Sequence, residues 1–320
     1  MTDLTVTETT PRYATAGDYV QLMKPRIMTL VVFTGVAGLV AAQGMTGVSM
    51  NPVMAAIAVL AVALGSGAAG AINMWYDADI DAVMGRTSTR PIPSGAVPKD
   101  EAIALGLIMS GVSVLLMWLA SNTLAAVLLA GSIFYYGVVY TMWLKRSTPQ
   151  NIVIGGGAGA FPPVIGWAAV TGTTPLDAWI LFAIIFFWTP PHFWALSLLA
   201  SKDYAKAGVP MLPVTHGAKS TRAHVFWYTL AMVAVAATPL LTGLGGWAYA
   251  VISTGLGAAF IWLAFGVWRS RAGEADAQPA DFRKAKGLFA YSILYLFVLF
   301  GVVIAEHGTG LHFPISGLAR

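Results

Sequence analysis

Three aspartates, Asp77, Asp79 and Asp81, fall within the stretch NMWYDADID (73–81), directly after a long apolar run. Asn73, Asp77 and Asp81 are spaced i, i+4, i+8, which on a helix places them within an arc of about 80°. Asp79 points away from that stripe. Carboxylates stacked in this way repel one another, so something positive must lie between them. Amide and carboxylate oxygens are hard ligands that suit Mg2+. This ion typically takes one or two carboxylates, keeps waters and draws its remaining ligands from substrate phosphates. MGRTSTRPIPSG follows, bringing Arg86 and Arg90 within nine residues of Asp81. Carboxylates and arginines at one helix end make a cradle for a polyphosphate, with metal on one side and guanidinium forks on the other. A solvated acidic helix end flanked by surface arginines is the plainer alternative.

A second polar region is FFWTPPHFWALSLLASKDYAKAGVPMLPV (186–214). His192 lies about eight residues inside a helix end, roughly 12 Å deep. Pro190 and Pro191 are expected to kink that helix and free backbone carbonyls. An intramembrane histidine is a functional candidate. It can ligate a porphyrin iron as a neutral imidazole, or it can hydrogen-bond a freed carbonyl. Lys202, Asp203 and Lys206 follow at the membrane surface and can complete a diphosphate cradle or simply charge a helix end. Tyr140, Lys145, Arg146 and Asn151, in YTMWLKRSTPQNIVIGG (140–156), form a further polar patch at the same depth. In GGGAGAFPP (155–163), Gly155 and Gly159 fit the close packing of membrane helices. His216, His224, His307 and His312 read as surface residues. The aromatics near these polar patches fit an interfacial belt, and a few of them fit a wall that shields a carbocation.

The elements that carry these groups follow from composition. The chain is 57% hydrophobic and 10% charged, with a mean hydropathy of +0.72. Soluble domains carry about 25% charged residues, so this is a polytopic membrane protein. With no cysteine, thiolate chemistry and disulfides are excluded. Apolar runs at about 27–43, 51–75, 102–120, 123–143, 150–170, 177–200, 225–243, 247–268 and 288–306 predict nine spans. The weakest boundary is the Ser121–Asn122 break. The loops 44–50, 121–122, 171–176 and 244–246 contain no Lys or Arg, whereas the opposite side holds nearly all of them. The net charge of +4 therefore reads as positive-inside bias and not as nucleic-acid binding. The expected fold is all-α, with about nine transmembrane helices around a central cavity open to the cytoplasmic face. The expected organisation is a disordered cytoplasmic tail (1–20), one transmembrane domain (21–310) and a short external tail (311–320). The polar first residues lack the apolar core of a signal peptide. The expected location is a bacterial inner membrane.

N-x3-D-x3-D at the end of the second of nine helices resembles the first aspartate-rich motif of the UbiA-type intramembrane prenyltransferases. MKPRI (23–27) and the stretches 73–95, 140–167 and 189–214 resemble the heme-modifying branch of that superfamily. The resemblance covers most of residues 20–306. Branches that prenylate quinone precursors carry a second D-x3-D after the sixth helix. Here Asp203 fits its first position and Ala207 fills its second, as in the DYxxAGxPM pattern of the heme branch.

The resemblance implies that farnesyl diphosphate, heme b and water give heme O and pyrophosphate. It implies Mg2+ on Asn73, Asp77 and Asp81. Diphosphate contacts would come from Arg26, Arg86, Arg90, Lys145, Lys202, Asp203 and Lys206. Tyr140 and Asn151 would lie in the cavity wall, and His192 would face heme. The prenyl chain would enter from membrane lipid. A heme A synthase or a terminal oxidase would be the downstream partner. The alternatives are prenylation of an aromatic or quinone precursor, and a non-catalytic heme-handling role in oxidase assembly. A transporter would be expected to place its ionisable groups near the bilayer midplane; here nearly all lie at one face. The charge asymmetry predicts that reporters inserted at 85 and 275 report cytoplasmic exposure and one at 245 external exposure; the reverse pattern would overturn the orientation.

Overall fold

The computed structural model describes residues 14–310 together with 312 and 313. Residues 1–13, 311 and 314–320, which hold most of the expected tails, lie outside the described residues. The described chain is all-α. Nine of its helices are long and apolar enough to cross a membrane. They are α1 (Pro25–Thr46), α2 (Pro52–Tyr76), α3 (Lys99–Ala120), α4 (Thr123–Leu144), α5 (Asn151–Thr171), α6 (Leu176–Leu199), α7 (Gly217–Thr242), α8 (Trp247–Trp268) and α9 (Pro279–Gly308). Sequential neighbours pack side by side, and α9 closes the ring on α1. The helices α5 (78% of its window buried), α6 (67%) and α2 (56%) form the interior, while the others bury 22–39%. The motif-bearing helices are thus the inner ones.

Local signals set the helix ends. Asn51 caps α2, its side chain accepting from Val53 N (2.9 Å), with Pro52 in the first turn. The Ser121–Asn122 break is a true turn. Asn122 Oδ1 accepts from Ala125 N (3.0 Å), and its amide donates to the Ala168 carbonyl (2.7 Å), tying the turn to α5. Gly47 and Gly172 end α1 and α5 in the left-handed region (φ 69° and 68°).

Four expectations change. Residues 16–20, expected as the end of the tail, belong to a short helix, Ala16–Leu22, because Thr15 and Asp18 make a capping box. Its Leu22 is buried against Ala71 and Met74. The helices α7 and α9 begin eight and nine residues before the apolar runs expected there, because hydropathy marks the hydrocarbon core and not the helix end. Gly155 and Gly159 do not form a helix seam: Gly155 accommodates the Tyr140 ring, and nothing lies within 4 Å of a Cβ placed at Gly159. His307 is buried, its Nε2 bonded to the Leu244 carbonyl (2.9 Å) and its ring stacked on His312.

The close backbone seam lies between α1 and α5. A Cβ on Gly38 would sit 2.0 Å from the Pro163 carbonyl oxygen, and one on Gly166 would sit 2.1 Å from that of Gly35. Gly166→Ala must push α1 and the interior helix α5 apart. A loss of about 1–3 kcal/mol is expected, read as a lower melting temperature in detergent. An unchanged melt would show that the seam tolerates separation.

Candidate functional site

The helix α2 ends at Tyr76, and a short helix, Ala78–Val83, follows with Asp77 at the junction. The i to i+4 ladder survives the junction: Asp77 N donates to the Asn73 carbonyl (2.9 Å) and Asp81 N to that of Asp77 (2.8 Å). Asn73, Asp77 and Asp81 therefore stay on one face, and all three are buried, with Asp77 at 0% exposure. Asp79 faces out, its side chain 58% exposed.

Each buried carboxylate meets cations from other segments. Lys145 Nζ donates to Asp77 Oδ2, and Arg146 approaches Asp77 Oδ1 at 3.6 Å. Arg90 pairs with Asp81. Lys24 Nζ donates to Asn73 Oδ1. The Asn73 amide nitrogen donates to Asp77 Oδ2 (2.8 Å) and Thr141 Oγ1 (2.9 Å). Arg146 grips Asp79 with both terminal nitrogens at 2.7 Å and donates to the Tyr76 carbonyl. That fork lowers the Asp79 pKa to about 2. Burial, together with the neighbouring Arg90 and Lys145 charges, lowers the Lys24 pKa to about 7, against the opposing pull of Asp77 and Asp81.

The second half of α4 supplies two of these contacts. Residues Tyr135–Leu144 are π-helical, with Lys145 N donating to the Tyr140 carbonyl five residues back. Thr141 Oγ1 likewise donates to the Tyr136 carbonyl (2.7 Å). This wider register brings both Thr141 and Lys145 to α2, while the Tyr136 and Tyr140 rings lie beside each other, 5.3 Å apart and tilted by 31°. Asn151 is fully buried, and its amide nitrogen holds the Thr148 carbonyl (2.7 Å), bracing the turn that presents Lys145 and Arg146.

The 84–90 loop also meets the segment after α6. Arg86 hydrogen-bonds Tyr204, and a Cβ on Gly85 would lie 3.9 Å from Asp203 Oδ1. Burial raises the Tyr204 pKa, against the charge and hydrogen bond of Arg86. Ile80, Met84, Tyr204, Val209 and Met211 share one apolar cluster, with Phe193 packed on it. Arg26, Lys202 and Lys206 stay outside, each exposed and with no side-chain hydrogen bond or ion pair among the described residues.

One residue before Phe193, His192 is buried in α6 between the rings of Trp188 (4.3 Å) and Phe289 (4.6 Å). Both prolines lie within a continuous helix. The hydrogen-bond partner of His192 is the Ser292 hydroxyl, 2.6 Å from Nδ1, and not a freed carbonyl. Ser292 Oγ spends its own proton on the Phe289 carbonyl (2.6 Å). It must then accept from Nδ1–H, which leaves the Nε2 lone pair available.

The sequence reading missed Lys24, Thr141, Tyr204 and Ser292 as site residues. Only Lys24 carried a signal. It precedes Pro25, where the helical region is disfavoured, and it adopts φ 54°, ψ 58°. It is the one non-glycine residue with positive φ among the described residues. Such a conformation is sparsely populated and tends to sit at functional sites.

The donor set fits a hard divalent cation. Asp77 Oδ1 is buried without a hydrogen-bond partner, although two carboxylates and an amide converge there. Among the described residues no group of three His, Cys, Asp or Glu side chains forms a metal cage. That suits an ion that takes its remaining ligands from water and phosphate.

Among the described residues nine membrane-length helices gather most of their acids and bases at one end, and the chain belongs to the UbiA prenyltransferase family, a family of transferases, whose model matches residues 30–293. A protoheme IX farnesyltransferase of Hyphomonas neptunium is 73% identical over 317 residues, covering 99% of this chain and 100% of that protein. One from Maricaulis maris is 57% identical over 314 residues, covering 96% and 94%. Among solved structures, a UbiA homologue of Archaeoglobus fulgidus bound to DMAPP and Mg2+ superposes with a TM-score of 0.63 at 18% identity, covering 90% of this chain and 99% of that one. A digeranylgeranylglyceryl phosphate synthase superposes with a TM-score of 0.72 at 17% identity, covering 91% and 98%.

Removing one buried partner strands the other charge. Lys145→Met is expected to cost about 3 kcal/mol of stability, with Lys145→Met/Asp77→Asn recovering most of it in thermal melts. A double variant no more stable than the single would show that Lys145 does not neutralise Asp77.

Proposed function

We propose that this chain transfers the farnesyl group of farnesyl diphosphate to a vinyl group of heme b, with addition of water, giving heme O and pyrophosphate. The observation that carries the proposal is the buried Asn73–Asp77–Asp81 face, ringed by Lys24, Arg90, Lys145 and Arg146, beside a histidine with a free Nε2. The heme acceptor rests on the 73% identity to the Hyphomonas protein and on its name. The Mg2+ requirement rests on the donor set and on the ion bound in the Archaeoglobus homologue.

Asn73, Asp77 and Asp81 would hold Mg2+, which when bound would withdraw charge from the diphosphate leaving group. In the structure Arg90, Lys145 and Arg146 occupy the carboxylates, and Lys24 occupies the Asn73 amide oxygen. With substrate present, Lys24, Arg90, Lys145 and Arg146 turn to the diphosphate oxygens and stabilise the charge that grows as the allylic C–O bond breaks. Arg86, held by Tyr204, and Asp203 close the far side. Arg26, Lys202 and Lys206, exposed at the same end, draw the polyanion in from solution.

The bonding pair leaves with pyrophosphate, and the farnesyl cation faces the Tyr136 and Tyr140 rings. The heme vinyl group attacks it as an alkene nucleophile. Water captures the porphyrin-conjugated cation and loses a proton. His192 orients heme through Nε2 on the iron, with Ser292 fixing the tautomer. The site opens to the cytoplasmic face of a bacterial inner membrane, and residues 21–310 act as one unit. A heme A synthase or a terminal oxidase receives the product.

The test is mass spectrometry of porphyrins after purified protein meets heme b, farnesyl diphosphate and Mg2+. Wild type should yield hydroxyethylfarnesyl heme, and Asp77→Asn should lose at least about a hundredfold in rate while still binding heme. His192→Ala should shift the heme Soret band and weaken heme binding, leaving farnesyl diphosphate binding intact. Heme binding without product in wild type would favour a heme-handling role. Thr141→Val frees the Asn73 amide to turn; Mn2+ titrated in place of Mg2+ and followed by EPR should bind about tenfold more weakly, with Thr141→Ser restoring it. Equal Mn2+ affinity in all three would remove Thr141 from the site.

A further inference from the structure

Two apolar cavities adjoin at α2. The larger, about 110 Å3, starts beside the buried carboxylates at Lys24 and Tyr136 and extends past Gly65 and Leu129. The smaller, about 10 Å3, lies between Val36, Met117 and Gly166. Among the described residues Val62 alone lines both. It is buried in α2, and its Cγ1 lies 3.6 Å from the position a Cβ would take on Gly35 of α1. The partition between the two spaces is thus one valine side chain set against a glycine.

The spacing along α2 gives this partition a meaning. Val62 precedes Asn73 by eleven residues, which is about 16 Å of helix. A farnesyl chain of three isoprene units is roughly 15 Å long when extended at ordinary carbon–carbon bond lengths. With its diphosphate at Asn73 and Asp77, such a chain ends against Val62. A fourth unit has to pass the valine and enter the smaller cavity. A shorter chain leaves apolar wall unfilled.

We infer that Val62 sets the length of the prenyl chain this protein accepts, closing the cavity after three isoprene units and excluding four. The inference rests on the reading that the diphosphate binds at Asn73, Asp77 and Asp81. It assigns to Val62 a part in specificity and none in bond breaking. Removing its methyl groups joins the two cavities; adding one shortens the first.

The experiment is a competition. Purified protein receives heme b, Mg2+ and an equimolar mixture of geranyl, farnesyl and geranylgeranyl diphosphates, and the prenylated hemes are counted by mass spectrometry. Val62→Ala should raise the geranylgeranyl-to-farnesyl product ratio about tenfold over wild type, the discrimination typical of a small change in an apolar pocket. Val62→Ile should raise the geranyl-to-farnesyl ratio. Unchanged ratios in Val62→Ala, with melting behaviour showing a folded protein, overturn the inference while leaving farnesyl transfer intact. If Val62→Ala does not fold, Val62→Ile decides in the same way. A folded wild type that prenylates heme with none of the three overturns the transfer reading itself, and the inference with it.

Discussion

The structure is organised by the cost of two carboxylates placed out of water at the end of an interior helix. A buried, unpaired carboxylate is strongly destabilising, and Asp77 and Asp81 are both buried. The cations that offset them come from distant parts of the chain: Lys24 from before α1, Arg90 from the loop after α2, and Lys145 and Arg146 from the end of α4. Each must reach the same few ångströms. That requirement fixes the depth of α1, the path of the 84–90 loop and the register of α4. Under the proposed function a polyanion gains from this arrangement, because the charges that balance the acids in the free protein are already gathered there.

The second half of the bundle has a different character. Around His192 the contacts are rings and one hydroxyl: Trp188, Phe289, Phe193 and Ser292. No ion pair reaches it among the described residues. Phe193 joins the two regions, since it packs on the cluster that contains Ile80 and Met84. The polar end gathers charge, and the surroundings of His192 gather rings.

Much of this was legible in the sequence. Nine spans follow from apolar length, and the Asn73–Asp77–Asp81 face follows from helical period, because neither depends on tertiary detail. Arg90 and Lys145 could not be told from Arg26 and Lys202 by composition. Whether a basic side chain turns inward depends on how its loop folds, and all four residues sit in loops or near helix ends. Thr141 was invisible because the helical period assumed there was the ordinary one. Lys24 was hidden because a residue before proline reads as a break, while in three dimensions the left-handed turn aims the amine at Asn73. Ser292 lies in an unremarkable apolar helix, one hundred positions from the histidine it contacts.

The π-helical run from Tyr135 to Leu144 means that the site is specified by a tally of residues as well as by their kinds. Where an α-helix would hold fewer residues per turn, this segment accommodates more, and the surplus is what lets Thr141 and Lys145 both reach α2. Losing a single residue of the run, even one that makes no contact at the site, would rotate everything after it and swing the lysine away from Asp77. Point substitution and chain length are therefore separate ways of disabling the same centre, and an alignment that scores only residue identity would see the first and miss the second.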